Sequence, residues 1–177
     1  MTGRRVLAHH RGYDRPLKPT TLGILRRDDH ICLAMKKRGF GVGLWNFAGG
    51  KTEPGETARD GVKREIKQEF GTVVKRARLV AQLYFYFADV PVEKNWDQCC
   101  SVFAIDTWRG EPGESEEMAP RWWRRDHLPY AKMWAADRDW IEPVLDGYRL
   151  TGFFLFSANG ECLDQQITLG RIIKPKG

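Results

Sequence analysis

The stretch Gly50-Lys51-Thr52-Glu53-Pro54-Gly55-Glu56-Thr57-Ala58-Arg59-Asp60-Gly61-Val62-Lys63-Arg64-Glu65-Ile66-Lys67-Gln68-Glu69-Phe70-Gly71 carries a helix signal and a chemical signal together. Ala58, Val62 and Ile66 recur every fourth residue, which makes one apolar stripe and predicts a helix within residues 56–70. Thr57 and Asp60 have the spacing of a capping box, with Asp in place of the usual Glu. Gly71 stands where a helix C-cap glycine belongs. On such a helix Glu65 and Glu69 are one turn and about 40° apart, and Gln68 lies about 60° to the other side of Glu65. Three oxygen-bearing side chains therefore share a patch. Two carboxylates at this spacing cost a bare helix a few tenths of a kcal/mol, roughly. A divalent cation reverses that sign, and oxygen ligands suit Mg²⁺, which keeps several waters and also binds substrate phosphates. Arg64, four residues after Asp60, can brace the acidic groups.

Outward from this segment, strands are expected at residues 20–25 and 31–35, joined by the turn Arg26-Arg27-Asp28-Asp29. A glycine-dense stretch at residues 39–50 reads as turns or as backbone brought close to a ligand. Further strands are expected at 77–87, 98–108 and 121–125, with a polar loop at 109–117. A second helix is placed within 135–148 and bent or interrupted by Pro143. A closing hairpin is expected from strands at 153–156 and 161–169 around Asn159-Gly160. Trp122 and Trp123, neighbours in a strand, should face opposite ways. Without regular βαβ alternation the class is α+β with a mixed or antiparallel sheet.

The fixed positions Gly50, Glu56, Arg64-Glu65-Ile66 and Glu69 make a pattern expected by chance on the order of 10⁻⁷ per register, at roughly 6% usage per residue. The segment resembles the Nudix box, the signature helix of nucleoside-diphosphate-linked hydrolases. The resemblance extends to the run Met35-Lys36-Lys37-Arg38-Gly39-Phe40-Gly41-Val42-Gly43-Leu44-Trp45-Asn46 and to Gly49-Gly50-Lys51. It continues through Ser115-Glu116-Glu117-Met118, Met133-Trp134 and the Gly152-Phe153-Phe154 hairpin, covering residues 20–170 apart from a stretch at 90–95. These segments are similar to the MutT-like branch that acts on oxidised purine nucleoside triphosphates.

The resemblance implies an α/β/α sandwich around a mixed sheet, and a pyrophosphohydrolase. Its reaction converts a purine nucleoside triphosphate such as 8-oxo-dGTP or 2-oxo-dATP to the monophosphate and pyrophosphate, sanitising the nucleotide pool. It implies Mg²⁺, with Mn²⁺ as a substitute, held by Gly49 (through its carbonyl), Glu65, Gln68, Glu69 and Glu117. Catalytic work falls to Glu65, Glu69 and Glu117, with Glu65 and Glu117 both open as the base, while Glu56 and Arg64 hold the box together. Lys51 would contact phosphate. Thr21, Phe40, Asn46, Phe85, Phe87, Trp134 and Asp137 would bind the base. The residue types suit a purine, since aromatic faces stack on any base and a carboxamide both donates and accepts. Two positions depart from the branch. Gln68 stands where the box has a glutamate, which removes one negative charge. Ala136 stands where the branch has the first of two successive acidic residues, leaving Asp137. The first departure implies weaker metal binding, the second altered base discrimination.

The 177 residues, 42% hydrophobic and 29% charged, are enough for one globular core, expected at 19–177. No apolar run approaches the roughly 18–20 residues of a bilayer span, which argues against a membrane protein. The net charge is +6, and residues 1–18 hold five basic residues against Asp14 alone. They read as a basic, mostly solvated arm, able to touch RNA without making stable nucleic-acid binding the function. The four cysteines and four histidines have no metal-site spacing, so zinc is not expected, and the cysteines read as buried thiols of a reducing, cytoplasmic protein. A monomer is expected. Two other readings compete: hydrolysis of a dinucleotide, nucleotide sugar or capped RNA by the same chemistry, and a nucleotide-binding domain weakened by Gln68.

Overall fold

The computed structural model describes residues 3–172. In chain order the elements are α1 (Arg4–Arg11), β1 (Lys18–Arg27), β2 (His30–Lys36), β3 (Trp45–Asn46), α2 (Ala58–Phe70), β4 (Val73–Phe87), β5 (Gln98–Arg109), β6 (Met118–Arg124), α3 (Asp137–Leu145), β7 (Tyr148–Phe156) and β8 (Cys162–Ile172). Short 3₁₀ turns occupy Val92–Lys94, Arg125–His127 and Tyr130–Lys132. The class is α+β, and the sheet is mixed. β2 is antiparallel to β1, β3 and β6, β7 is antiparallel to β8, and β4 and β7 run parallel. No described helix is long and apolar enough to cross a membrane.

The contacts group into two units. The first comprises Thr20–Leu79 and Val102–Trp134. Its strands neighbour one another in the order β3-β2-β1-β5-β4, with β6 on β2. α2 forms where its stripe and caps predict. Val62 and Ile66 are fully buried among Leu25, Phe103 and Ile105. The Thr57 hydroxyl accepts from the Asp60 N–H at 3.1 Å and donates to the Asp60 carboxylate at 2.6 Å. Gly71 closes the helix at φ 70°, its N–H on the Lys67 carbonyl. Asp60 is thus held by Thr57, although Arg64 stands four residues on. The hydroxyl one turn earlier satisfies it first, and Arg64 turns to other acids. β1 and β2 turn at Asp28, a left-handed residue, with Arg27 opposite His30. Trp122 and Trp123 do face opposite ways: Trp122 stacks on Trp108 beneath the Arg27 guanidinium, and Trp123 meets Trp45 edge-on beneath Arg121.

The second unit holds the described residues up to Pro19, Val80–Ser101 and the chain from Ala135 on. Its strands neighbour in the order β5-β4-β7-β8. Here the arm departs from a solvated extension. It is the helix α1, and Val6 is fully buried with Tyr86 and Leu155, flanked by Tyr13, Leu17 and Phe153. The Asp164 carboxylate accepts from the Gly3 and Val6 N–H groups, each at 3.0 Å, and His10 Nδ1 bonds the Tyr86 hydroxyl. Apolar residues at 6, 13 and 17 cover β-sheet surface, while Arg4, Arg5 and Arg11 stay exposed. α3 lies within the expected bounds and contains Pro143, whose missing N–H leaves out one bond of the ladder; the Asp146 N–H closes the helix on the Glu142 carbonyl. β4 starts at Val73 and β7 at Tyr148, both earlier than their alternation suggested. Cys32 and Cys100 are buried thiols. Cys99 and Cys162 are half-buried, which corrects the all-buried expectation, because strand neighbours alternate faces.

Candidate active site

The acidic face of α2 lies against the backbone that follows β3. β1 and this backbone are joined by Gly23 N–H to Ala48 O and Thr21 N–H to Gly50 O, both 2.8 Å. The approach is close enough to require glycine. A Cβ on Gly49 would lie 2.0 Å from the Thr21 carbonyl oxygen. A Cβ on Gly50 would lie 2.6–2.8 Å from the Glu65 carboxyl atoms. The Gly49 N–H, thus held, donates to Glu69 Oε2 at 2.9 Å. Glu65 and Glu69 therefore both face the Gly49-Gly50 backbone, as the helical spacing implied.

Arg64 is the brace. Its Nε and Nη2 bond the two Glu56 oxygens at 2.9 and 3.0 Å, a forked pair. Nη1 reaches Glu65 Oε1 at 2.8 Å and Gln68 Oε1 at 3.1 Å, and Nη2 reaches the Lys51 carbonyl at 2.9 Å. The Glu56 side chain also accepts from the Glu53 N–H. One guanidinium thus ties the loop before α2 to the acidic face of α2. The hydrogen bond from Arg64 holds the Glu56 carboxyl below its ordinary range, and the Glu56 and Glu65 bonds raise the arginine further. Gln68 is exposed and uses its carbonyl oxygen here as a carboxylate would.

Glu69 is different in kind. It is 5% exposed, and burial pushes its carboxyl up to about 7. The Gly49 N–H and the Lys36 charge oppose that rise, and the Glu65 and Glu117 carboxylates add to it. Lys36 thus offsets only part of the cost of a desolvated acid among acids. The donors around it are carboxylates, an amide and backbone carbonyls, a hard oxygen set that fits Mg²⁺ or Mn²⁺. Among the described residues, no three His, Cys, Asp or Glu side chains close into a metal cage. Arginines hold the acids instead, with Arg64 on Glu65 and Arg38 on Glu117 at 2.7 Å. Lys36 and Arg38 are the charged groups near this site that the sequence reading did not assign. Their signal was the basic run at 36–38 followed by three spaced glycines.

The residues expected at the base divide between the two units. In the first, Phe40 is 45% exposed and stacks on Trp134 with centroids 5.1 Å apart and planes at 24°. Thr21 is buried, its hydroxyl 3.4 Å from the Gly50 carbonyl, and Lys51 is exposed. The Asn46 side-chain oxygen accepts from the Phe47 N–H at 2.8 Å, which fixes the orientation of its amide. In the second unit, Phe85 stacks on Phe154, Phe87 is buried against Trp96 and Phe156, and Asp137 is buried with the Trp140 indole N–H on its carboxylate at 3.0 Å.

Comparison with known proteins places this geometry in context. The NUDIX domain family matches residues 16–143. An oxidized purine nucleoside triphosphate hydrolase of Mus musculus is 38% identical over 136 residues, covering 77% of this chain and 85% of its own. The protein of the same description from Danio rerio is 33% identical over 150 residues, covering 85% of this chain and 94% of its own. Among solved structures, a mutator MutT protein from Bacillus halodurans superposes with a TM-score of 0.75 at 28% identity, covering 85% of this chain and 97% of that one.

Proposed function

The chain belongs to the NUDIX family, and on that premise we propose that it is a Mg²⁺-dependent pyrophosphohydrolase of purine nucleoside triphosphates, with oxidised purines as preferred substrates. The observation that carries the reading is the convergence of Glu65 and Glu69 on the Gly49-Gly50 backbone, braced by Arg64 and Glu56. Two relatives described as oxidized purine nucleoside triphosphate hydrolases support the substrate class.

Glu65, Glu69, Glu117, Gln68 and the Gly49 carbonyl would hold the cation. When bound, Mg²⁺ neutralises phosphate charge and lowers the pKa of a water. The chain's own residues do the rest. The Gly49 N–H orients the Glu69 carboxylate, and Arg64 orients Glu65. Either Glu65 or Glu117 takes the proton from the attacking water. Lys51, exposed beside Gly50, meets the phosphates. Phe40 and Trp134 present aromatic faces to the base, and Asn46 reads its edge through an amide whose orientation the Phe47 N–H sets.

The test is pyrophosphate release with Mg²⁺ from dGTP, 8-oxo-dGTP, 2-oxo-dATP and dATP, beside a Glu69→Gln control. The reading expects metal-dependent release that favours an oxidised base and falls at least about 100-fold in the control. Equal slow rates on all four nucleotides would remove the oxidised-base preference. Gln68 favours a second reading, a weak or silent enzyme that still binds nucleotide. Tight binding of a purine triphosphate without turnover in Mg²⁺ or Mn²⁺ would support it over the first.

A further inference from the structure

Three consecutive cations, Lys36 at the end of β2 and Lys37 and Arg38 just past it, are each engaged differently by the acidic loop before β6. The Lys37 backbone N–H donates to the Glu117 carbonyl at 2.8 Å, which fixes the two segments side by side. The Lys37 ammonium bonds Glu114 at 2.8 Å and the Ser115 carbonyl at 2.7 Å. Lys36 stays 3.8 Å from Glu117 Oε2. Arg38 makes the short contact on the other Glu117 oxygen, Nη2 to Oε1 at 2.7 Å, with Nη1 3.5 Å from Glu116. Its guanidinium is 58% exposed and the Glu117 side chain 43%. An ion pair this exposed contributes little net stability, so its partner can be exchanged at small cost. The chain continues through Gly39, Gly41 and Gly43, all at positive φ, so the segment carrying Arg38 is shaped by turns rather than by packing.

A guanidinium on Glu117 competes with any divalent cation for the same carboxylate. A nucleoside triphosphate removes the conflict. Two oxygens of one phosphate can accept side by side from the planar guanidinium fork, which suits arginine better than lysine. We propose that Arg38 is a substrate-binding residue that changes partners, holding Glu117 in the nucleotide-free protein and passing to the triphosphate oxygens when a divalent cation occupies Glu117. The inference rests on the reading above, in which Glu117 belongs to the cation site. It gives the reaction an order of charges: Arg38 screens the acid until metal and substrate arrive together.

The experiment compares wild-type protein with Arg38→Met and with Lys37→Met, which loses the same charge from a residue held by Glu114. Mn²⁺ binding is titrated without nucleotide by electron paramagnetic resonance. Steady-state kinetics are then measured on whichever purine triphosphate the wild type cleaves. Arg38→Met should bind Mn²⁺ about 3–10-fold more tightly and raise KM about tenfold, with kcat within about twofold, because uniform substrate binding is lost. Lys37→Met should change neither by more than about twofold. The combination of tighter metal and weaker substrate is one that a structural defect does not give. Unchanged Mn²⁺ affinity in Arg38→Met, or an equal gain in Lys37→Met, overturns the exchange. An unchanged KM overturns substrate binding by Arg38. If the wild type cleaves no purine triphosphate, the parent reading fails, while the Mn²⁺ titration still decides whether Arg38 competes at Glu117. If Glu117→Gln leaves Mn²⁺ affinity untouched, Glu117 lies outside the cation site and both fall.

Discussion

Gly49 shows how far one missing side chain can set a site. The Thr21 carbonyl occupies the place of a Cβ, and the resulting contact aims the Gly49 N–H at Glu69. Gly49→Ala must either part these segments or turn that N–H away. We expect a loss of roughly 3 kcal/mol in urea unfolding, together with loss of pyrophosphate release. Gln68 predicts the opposite sign. Its oxygen already accepts from Arg64, so Gln68→Glu adds a charge without asking for new geometry. Mn²⁺ affinity should rise by about tenfold in a titration, and activity should rise with it. Ala136, buried ahead of α3, belongs with these. If base reading resides there, Ala136→Asp should shift the ratio of kcat/KM for 8-oxo-dGTP over 2-oxo-dATP by about tenfold or more, measured in direct competition.

At the scale of elements, α2 and α1 explain what the sequence shows and what it conceals. Everything that makes α2 is local: a stripe at every fourth residue, a hydroxyl at the N-cap, a glycine after the last turn. Its acidic face was therefore readable, and so was the bracing of that face by Arg64 through Glu65 and Gln68. The loop partners of Arg64 and the packing of α1 depend on distant residues. Gly3 and Val6 find Asp164 roughly 160 positions away, and no local pattern announces that bond. A basic, acid-poor segment therefore looked solvated. The residues proposed for the base were legible as types, but the burial of Phe87 was not, since aromatic strands read alike whether they face a ligand or a core. Asp164 also carries a pH prediction. Burial pushes its carboxyl up, and the N–H groups of Val6, Gly3, Gln165 and Arg5 more than offset this, so it titrates below an ordinary aspartate. Its contribution to stability is present above the usual aspartate range and is lost as pH falls through the lowered value. Acid titration followed by exchange of the α1 amides should show α1 opening there, and Asp164→Asn should weaken α1 already at neutral pH by about 1–2 kcal/mol.

Across the whole molecule, half of the net charge of +6 sits on the three arginines of a folded helix rather than on a free tail. Deleting residues 1–12 uncovers Tyr86 and Leu155 and removes the buried Val6. A thermal melt should register the loss of roughly 2 kcal/mol that one such apolar side chain contributes. The same arrangement has a consequence in biosynthesis. The helix α1 is completed by a residue made roughly 160 positions later, Asp164. At translation speeds of about 5–20 residues per second, α1 waits on the order of 10–30 s for its cap and its apolar cover. During that interval an arginine-rich helix with an open apolar side is offered to ribosomal RNA and to chaperones. Leu155, Phe153 and Asp164 reach it only as the β7-β8 hairpin leaves the ribosome.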